Sequence, residues 1–97
     1  MGKARIVEPE EEIKRYTKFI KERPNMKELY AWRAWAYITN QEYEKALADF
    51  KKASKLDPKN THYLFCCADC LEKLDKWDKA LKEYKKILKI DDRDAIC

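Results

Sequence analysis

The chain has 97 residues, of which 41% are charged and 45% hydrophobic, with one glycine and three prolines. This composition excludes a low-hydrophobicity disordered chain, and no stretch reaches the roughly 18 apolar residues of a membrane span. Twenty-two basic and 18 acidic residues are interspersed, and the net charge of +4 is too small to indicate nucleic-acid binding. With no signal-peptide pattern at the N-terminus, we expect one cytoplasmic domain that binds neither membranes nor nucleic acid.

Helices are predicted along the whole chain, because Lys, Glu, Ala and Leu are abundant and apolar residues recur at helical spacing. Pro9 followed by three glutamates favours a helix start. Pro58 marks the end of a later helix, since proline disfavours helix in the residue before it. Five helices are predicted, near residues 9–22, 26–39, 42–55, 60–73 and 76–90.

An internal repeat with a period of about 34 residues organises these helices. Residues 27–60 align with residues 61–94, and two matches are particularly clear: Lys45-Ala46-Leu47 with Lys79-Ala80-Leu81, and Phe50 with Tyr84. The register continues upstream, where Tyr16 falls opposite Phe50 and Pro24 opposite Pro58. The chain therefore divides into an N-terminal tail, a half repeat, two full repeats and a C-terminal tail, at residues 1–8, 9–24, 27–60, 61–94 and 95–97.

These positions carry a resemblance to the tetratricopeptide repeat (TPR) family from about residue 9 to residue 94. Its characteristic positions hold Tyr30, Arg33, Ala34, Tyr37, Ala46, Phe50 and Pro58, then Leu64, Cys67, Ala68, Leu71, Ala80, Tyr84 and Asp92. The chain departs from the pattern where alanine replaces both glycines and where Asp92 replaces the second terminal proline. The resemblance implies an all-α, right-handed superhelical array of αα-hairpins.

The resemblance also implies a concave groove, lined by the first helix of each pair, in which members of the family commonly bind a peptide or a helix. The residues expected to project there are Glu28, Ala31, Trp32, Trp35, Ile38 and Thr39, then His62, Phe65, Cys66, Asp69, Glu72 and Lys73. Trp32, Trp35 and Phe65 form a candidate aromatic patch, because aromatic residues often anchor interfaces. The alternative is that the first helix covers the two tryptophans. Trp77, which replaces Tyr43 in the repeat, is interpreted as structural.

A subset of the family grips the acidic C-terminal tails of heat-shock chaperones with Lys, Asn and Arg in this groove. None of the positions at which this pattern can be tested holds Lys, Asn or Arg. They hold Ala31, Trp32, Trp35, His62 and Cys66. We therefore expect a protein or peptide partner with apolar anchors instead of a chaperone tail. Lys73 and either Asp69 or Glu72 are the expected polar contacts.

Two alternatives to groove binding come from other features of the sequence. No polar capping helix follows the repeats, so we expect apolar residues to be partly bare at both ends: Leu81, Ile87 or Leu88, and Ile13, Tyr16 or Phe19. This favours a self-associating scaffold, or an excised or engineered piece of a longer array with no ligand of its own. His62, Cys66 and Cys70 recur every four residues and form the only candidate metal or thiol site.

No cofactor or enzymatic activity is expected. His62 is the only histidine, and no Gly-rich or acid–base constellation accompanies the cysteines. Lysines on the second helices of the repeats are mixed with Asp49, Asp78 and Glu83, which predicts a solvated surface with local charge pairs instead of a phosphate-binding stripe.

Overall fold

The computed structural model describes residues 8–96, with side chains described through residue 90. These residues form five α-helices without a strand, which confirms the all-α prediction. The helices are α1 (Pro9–Glu22), α2 (Lys27–Thr39), α3 (Tyr43–Leu56), α4 (Thr61–Lys73) and α5 (Trp77–Ile96). Within the described range, none of them is long and apolar enough to span a membrane. Residues 1–7 of the predicted N-terminal tail lie outside this range.

Proline, acidic and capping side chains set the helix boundaries. Pro9 stands in the first turn of α1 and is followed by three glutamates, which face the positive end of the helix dipole. Asn60 caps α4, because its side-chain oxygen accepts a hydrogen bond from the backbone N–H of His62 at 3.0 Å. Pro58 follows the C-terminal end of α3 and prevents the helix from continuing.

The turn between the two helices of each full repeat contains one residue in the left-handed conformation. Gln41 has φ 60° and Asp75 has φ 62°. In the first turn the backbone N–H of Glu42 donates to the carbonyl of Tyr37 at 2.8 Å, and the equivalent bond in the second turn has the same length. This pattern is the Schellman motif, in which glycine is the usual left-handed residue. The side chains of Gln41 and Asp75 therefore cost about 1 kcal/mol each.

Helix α5 is longer than predicted and runs to Ile96, beyond the expected end near residue 90. The predicted C-terminal tail at 95–97 therefore begins inside this helix, and Cys97 lies outside the described residues. The physical reason is the residue at position 92. Pro58 ends α3, whereas Asp92, at the equivalent position, keeps its backbone N–H and permits the helix to continue.

The helices pack in chain order, α1 on α2, α2 on α3, α3 on α4 and α4 on α5. Ala34, Ala46, Ala53 and Ala68 are fully buried and allow close approach of the helices, while Phe50 fills the space between them. The radius of gyration is 15.2 Å. A compact domain of this length would have roughly 12–13 Å. The chain is therefore an elongated stack of αα-hairpins.

A salt bridge joins the two ends of the first full repeat. The ammonium nitrogen of Lys27, at the start of α2, lies 2.7 Å from a carboxylate oxygen of Asp57, after α3. The side-chain amide of Asn60 donates to the same oxygen at 3.2 Å. Hydrogen bonding from Lys27 and Asn60 lowers the pKa of Asp57. The hydrogen bond between Lys27 and Asp57 also raises the pKa of Lys27. The pair thus ties the start of α2 to the end of α3 within this repeat.

Candidate functional site

The side chains predicted for the groove differ in exposure. The exposed members are Trp32, Trp35, Thr39, His62, Phe65 and Lys73. The half-buried members are Glu28, Ile38, Asp69 and Glu72. Ala31 and Cys66 belong to the hydrophobic core, which corrects their predicted place in the groove. Both side chains lie against neighbouring helices and support the fold.

The three aromatic side chains of the predicted patch are open to solvent. Trp32 is 46% exposed, Trp35 45% and Phe65 55%. The ring of Trp32 lies 6.0 Å, centroid to centroid, from the ring of Tyr16 on α1. Helix α1 therefore supports Trp32 from one side without enclosing it, and the alternative in which α1 covers the tryptophans is wrong.

Trp35 and Phe65 pack in the same way in successive repeats. Trp35 meets Phe50 of α3 edge to face, with centroids 5.5 Å apart and an interplanar angle of 81°. Phe65 meets Tyr84 of α5 at 5.7 Å and 78°. Phe50 and Tyr84 are equivalent positions of the repeat, so each second helix supplies the aromatic ring that supports a groove residue. This geometry is favourable for aromatic pairs and restrains both exposed rings.

Glu72 is engaged by the fold. The hydroxyl of Tyr84 donates a hydrogen bond to its carboxylate at 2.5 Å, joining α4 to α5. This hydrogen bond raises the pKa of Tyr84 to about 12. The contact orients Tyr84 beneath Phe65, so that Glu72 has a positioning role in addition to its predicted place in the groove.

A buried ion pair between α2 and α3 was missed by sequence reasoning. The guanidinium of Arg33 donates two hydrogen bonds of 2.7 Å to the carboxylate of Asp49 on α3. A third bond of 3.1 Å reaches the hydroxyl of Thr17 on α1, which itself donates to the carbonyl of Ile13. The hydrogen bond to Asp49 raises the pKa of Arg33. Arg33 therefore connects three helices and fixes the orientation of α2.

Asp49 corrects the prediction of a solvated outer surface, because it is buried. The sequence did contain a signal for this pair. Arg33 occupies a position that is Cys67 in the next repeat, which is a core position. A charged residue at such a position requires a partner, since burial of an unpaired charge is costly. Asp49 on α3 lies opposite that position and is the required partner.

The candidate metal or thiol site is not assembled. Cys66 Sγ lies 3.8 Å from His62 Nε2. Across the described residues, however, no three His, Cys, Asp or Glu side chains are arranged to hold a metal ion. Burial raises the pKa of Cys66 to about 11 and that of Cys70 to about 12, which keeps both thiols protonated and unreactive at neutral pH. The cysteines therefore act as small apolar side chains.

The first and last helices of the described stack expose apolar side chains. Phe19 on α1 is exposed, and so are Leu81 and Leu88 on α5. The other residues named for these faces are half-buried: Ile13, Tyr16 and Ile87. Trp77 is also exposed, which corrects its interpretation as a structural residue. It stands at the first residue of α5, where no described helix covers it.

The stacked αα-hairpins and their aromatic first helices define a tetratricopeptide-type repeat protein. Residues 11–87 match the family described as anaphase-promoting complex, cyclosome, subunit 3. Because the match covers most of the chain, the protein belongs to this family. None of the curated proteins compared with the chain matches it.

Solved structures support the same fold. The second TPR domain of Spaghetti (RPAP3), bound to the HSP90 peptide SRMEEVD, is 28% identical with a TM-score of 0.75, and the match covers 84% of this chain and 76% of that chain. The first TPR domain of the same protein, with the same peptide, is 27% identical with a TM-score of 0.76, covering 84% and 65%. MamA from Desulfovibrio magneticus RS-1 is 18% identical with a TM-score of 0.80, covering 84% and 46%. The chain thus spans about half the length of the MamA chain, whose likeness shows the fold alone.

Proposed function

We propose that this protein-interaction module binds a peptide or helix with apolar side chains on the surface formed by Trp32, Trp35 and Phe65. One observation carries the proposal: three large aromatic side chains are about half exposed on α2 and α4, the equivalent first helices of successive repeats. Exposed aromatic groups of this size usually mark an interaction surface. The module would hold another polypeptide without catalysing a reaction.

The support beneath each aromatic ring strengthens this proposal. Trp32 rests beside Tyr16, and edge-to-face contacts hold Trp35 and Phe65. An anchor that is already restrained loses little side-chain entropy when a ligand binds, so more of its contact energy appears as affinity. Aromatic side chains without such contacts would be weaker anchors.

The charges near these rings favour an apolar ligand over an acidic one. Among the predicted groove residues, Glu28, Asp69 and Glu72 are acidic, while Lys73 is the one lysine. Like charges across an interface suppress binding. The Spaghetti domains were solved with the acidic peptide SRMEEVD. We propose that this chain does not bind that peptide and selects ligands through aliphatic or aromatic anchors.

The cytoplasm is the compartment that we propose for this interaction. Cys66, Cys67 and Cys70 are free thiols buried in the stack. Free cysteines are usual in reducing compartments, where disulfides rarely persist. The expected partner is therefore another protein of the same compartment.

A peptide selection with matched tryptophan variants tests the proposal. The full chain selects ligands from a displayed random-peptide library, and the affinity of the best peptides is measured by fluorescence polarisation. Trp32→Ala/Trp35→Ala should weaken binding by about 30-fold or more, the loss expected when an aromatic hot spot is removed. Trp77→Ala is the control, because it removes a tryptophan that is 61% exposed and lies outside the aromatic surface, and it should change affinity by less than about twofold.

Several results would contradict the proposal. Unchanged affinity of the double tryptophan variant would exclude the aromatic surface as the site. Selected peptides without apolar anchors, or strong binding of SRMEEVD, would contradict the proposed ligand preference. Phe65→Ser provides a second variant if circular dichroism shows that the double variant has lost helix. Sedimentation velocity tests the self-association alternative. If the wild type is a dimer and Trp32→Ala/Trp35→Ala dissociates it, a second copy of the chain binds this surface.

A further inference from the structure

The last helix has an uncovered apolar face. Trp77, Leu81 and Leu88 follow one another at four- and seven-residue spacing, which places them on one side of α5. They are 61%, 54% and 60% exposed. We name these three residues the α5 face. An apolar row of this length on a monomer usually marks a binding surface.

Helix α3 shows what covers the equivalent face in the preceding repeat. It lies between α2 and α4, and its Leu47, equivalent to Leu81, is only 9% exposed. Tyr43, equivalent to Trp77, is half-buried. In the described part of the chain no helix takes the position beside α5 that α4 takes beside α3. The exposure of the α5 face therefore corresponds to a position beside α5 that an α4-type helix would cover.

The charges beside this face indicate the chemistry of that helix. Lys82, Lys85 and Lys89 are exposed along one edge of the apolar row, where Asp78 is the single exposed acidic residue among the described side chains. The half-buried carboxylate of Glu83 is already paired with Lys86 at 3.5 Å. A second copy docking through the same face would bring two rows of lysines together, which is unfavourable. An occupant with acidic residues along its edge would be attracted instead.

We propose that the α5 face binds an acidic amphipathic helix of a partner protein, seated on α5 as α4 is seated on α3. Helix α4 illustrates the required pattern. It presents buried apolar side chains such as Leu64 and Leu71 to its neighbours, and its acidic residues Asp69 and Glu72 outnumber Lys73. The α5 face does not include Trp32, Trp35 or Phe65, so that the module would contact two partners, or two segments of one partner.

Two helical peptides of opposite charge test this proposal on the isotope-labelled full chain. Both peptides are side-chain cross-linked to hold the helix and carry leucine at the same four positions of one face. One has glutamate and the other lysine at the flanking positions. The glutamate peptide should shift the indole N–H resonance of Trp77. At low salt it should also bind more tightly than the lysine peptide, because its glutamates can pair with the exposed lysines. The expected preference is about tenfold, since each exposed ion pair contributes only modestly. High salt should reduce this difference.

Variants separate this surface from the groove. Leu81→Lys, on an exposed position, should abolish binding of the glutamate peptide, whereas Trp32→Ala/Trp35→Ala should leave it unchanged. Equal affinity for the two peptides, shifts confined to α2 and α4, or no binding of either peptide at millimolar concentration would overturn the proposal. A dimer in sedimentation velocity that Leu81→Lys dissociates would also overturn it, because a second copy would then be the occupant.

Discussion

Replacing Asp49 by alanine removes the carboxylate that holds Arg33 between α2 and α3. The guanidinium loses two hydrogen bonds of 2.7 Å and keeps the one to Thr17 at 3.1 Å. Arginine cannot be deprotonated at neutral pH, so the charge stays in place after its partner has gone. The variant therefore leaves a partly buried cation without a counter-charge.

The magnitude of this destabilisation follows from the burial of the pair. The side chains of Arg33 and Asp49 are 18% and 7% exposed. Breaking a buried ion pair costs about 3–5 kcal/mol. Because Arg33 retains some access to water, we expect the lower end of that range, about 3 kcal/mol. In a domain of this size such a loss lowers the melting temperature by about 15 °C.

Urea unfolding followed by far-UV circular dichroism measures this loss, and a double variant identifies its cause. Arg33→Met/Asp49→Leu removes both charges and should recover stability to within about 1 kcal/mol of the wild type. Lys51→Ala, at an exposed position in the middle of α3, should change the free energy of unfolding by less than about 0.5 kcal/mol. If the double variant is as unstable as Asp49→Ala, lost packing and not a stranded charge causes the effect, and the reasoning is refuted.

Two further predictions concern the salt bridge at Asp57 and the left-handed residue Asp75. Hydrogen bonding from Lys27 holds the folded-state pKa of Asp57 below its unfolded value. The stabilisation is therefore present above about pH 4 and lost as pH falls through the folded pKa. The urea midpoints of the wild type and Asp57→Asn should converge between pH 6 and pH 3, and a constant difference would contradict this. Asp75→Gly should raise the free energy of unfolding by about 0.5–1 kcal/mol in the same assay, since glycine adopts positive φ freely; Asp75→Val, which should destabilise, is its control.

The repeated positions predicted the fold well because the determinants of the stack are local in sequence. Helical spacing of apolar residues identifies each helix, and matching residues such as Phe50 and Tyr84 reveal the register of the repeats. The ends of the helices were also predictable where proline sets them. The error at α5 arose from expecting an end near residue 90 although position 92 lacks the proline that would produce it.

The sequence alone also identified Trp32, Trp35 and Phe65 as candidate anchors, because their offset from the packing positions can be counted. Only the tertiary structure decided how exposed they are. Exposure depends on which helix lies alongside, and the same reason explains why Leu47 is buried while its equivalent Leu81 is open. A position in a repeat determines which way a side chain points, but not whether a neighbour covers it.

The buried polar contacts were decided by the tertiary structure for a related reason. Arg33 and Asp49 pair across two helices, and the strength of this pair depends on distances of 2.7 Å that no residue pattern specifies. What the sequence by itself determined is the helical period, the repeat register and the position of each side chain on its helix. Which of those side chains meet, and which remain open to a partner, was decided by the packing of helices on one another, because contact and exposure depend on neighbours distant in the chain.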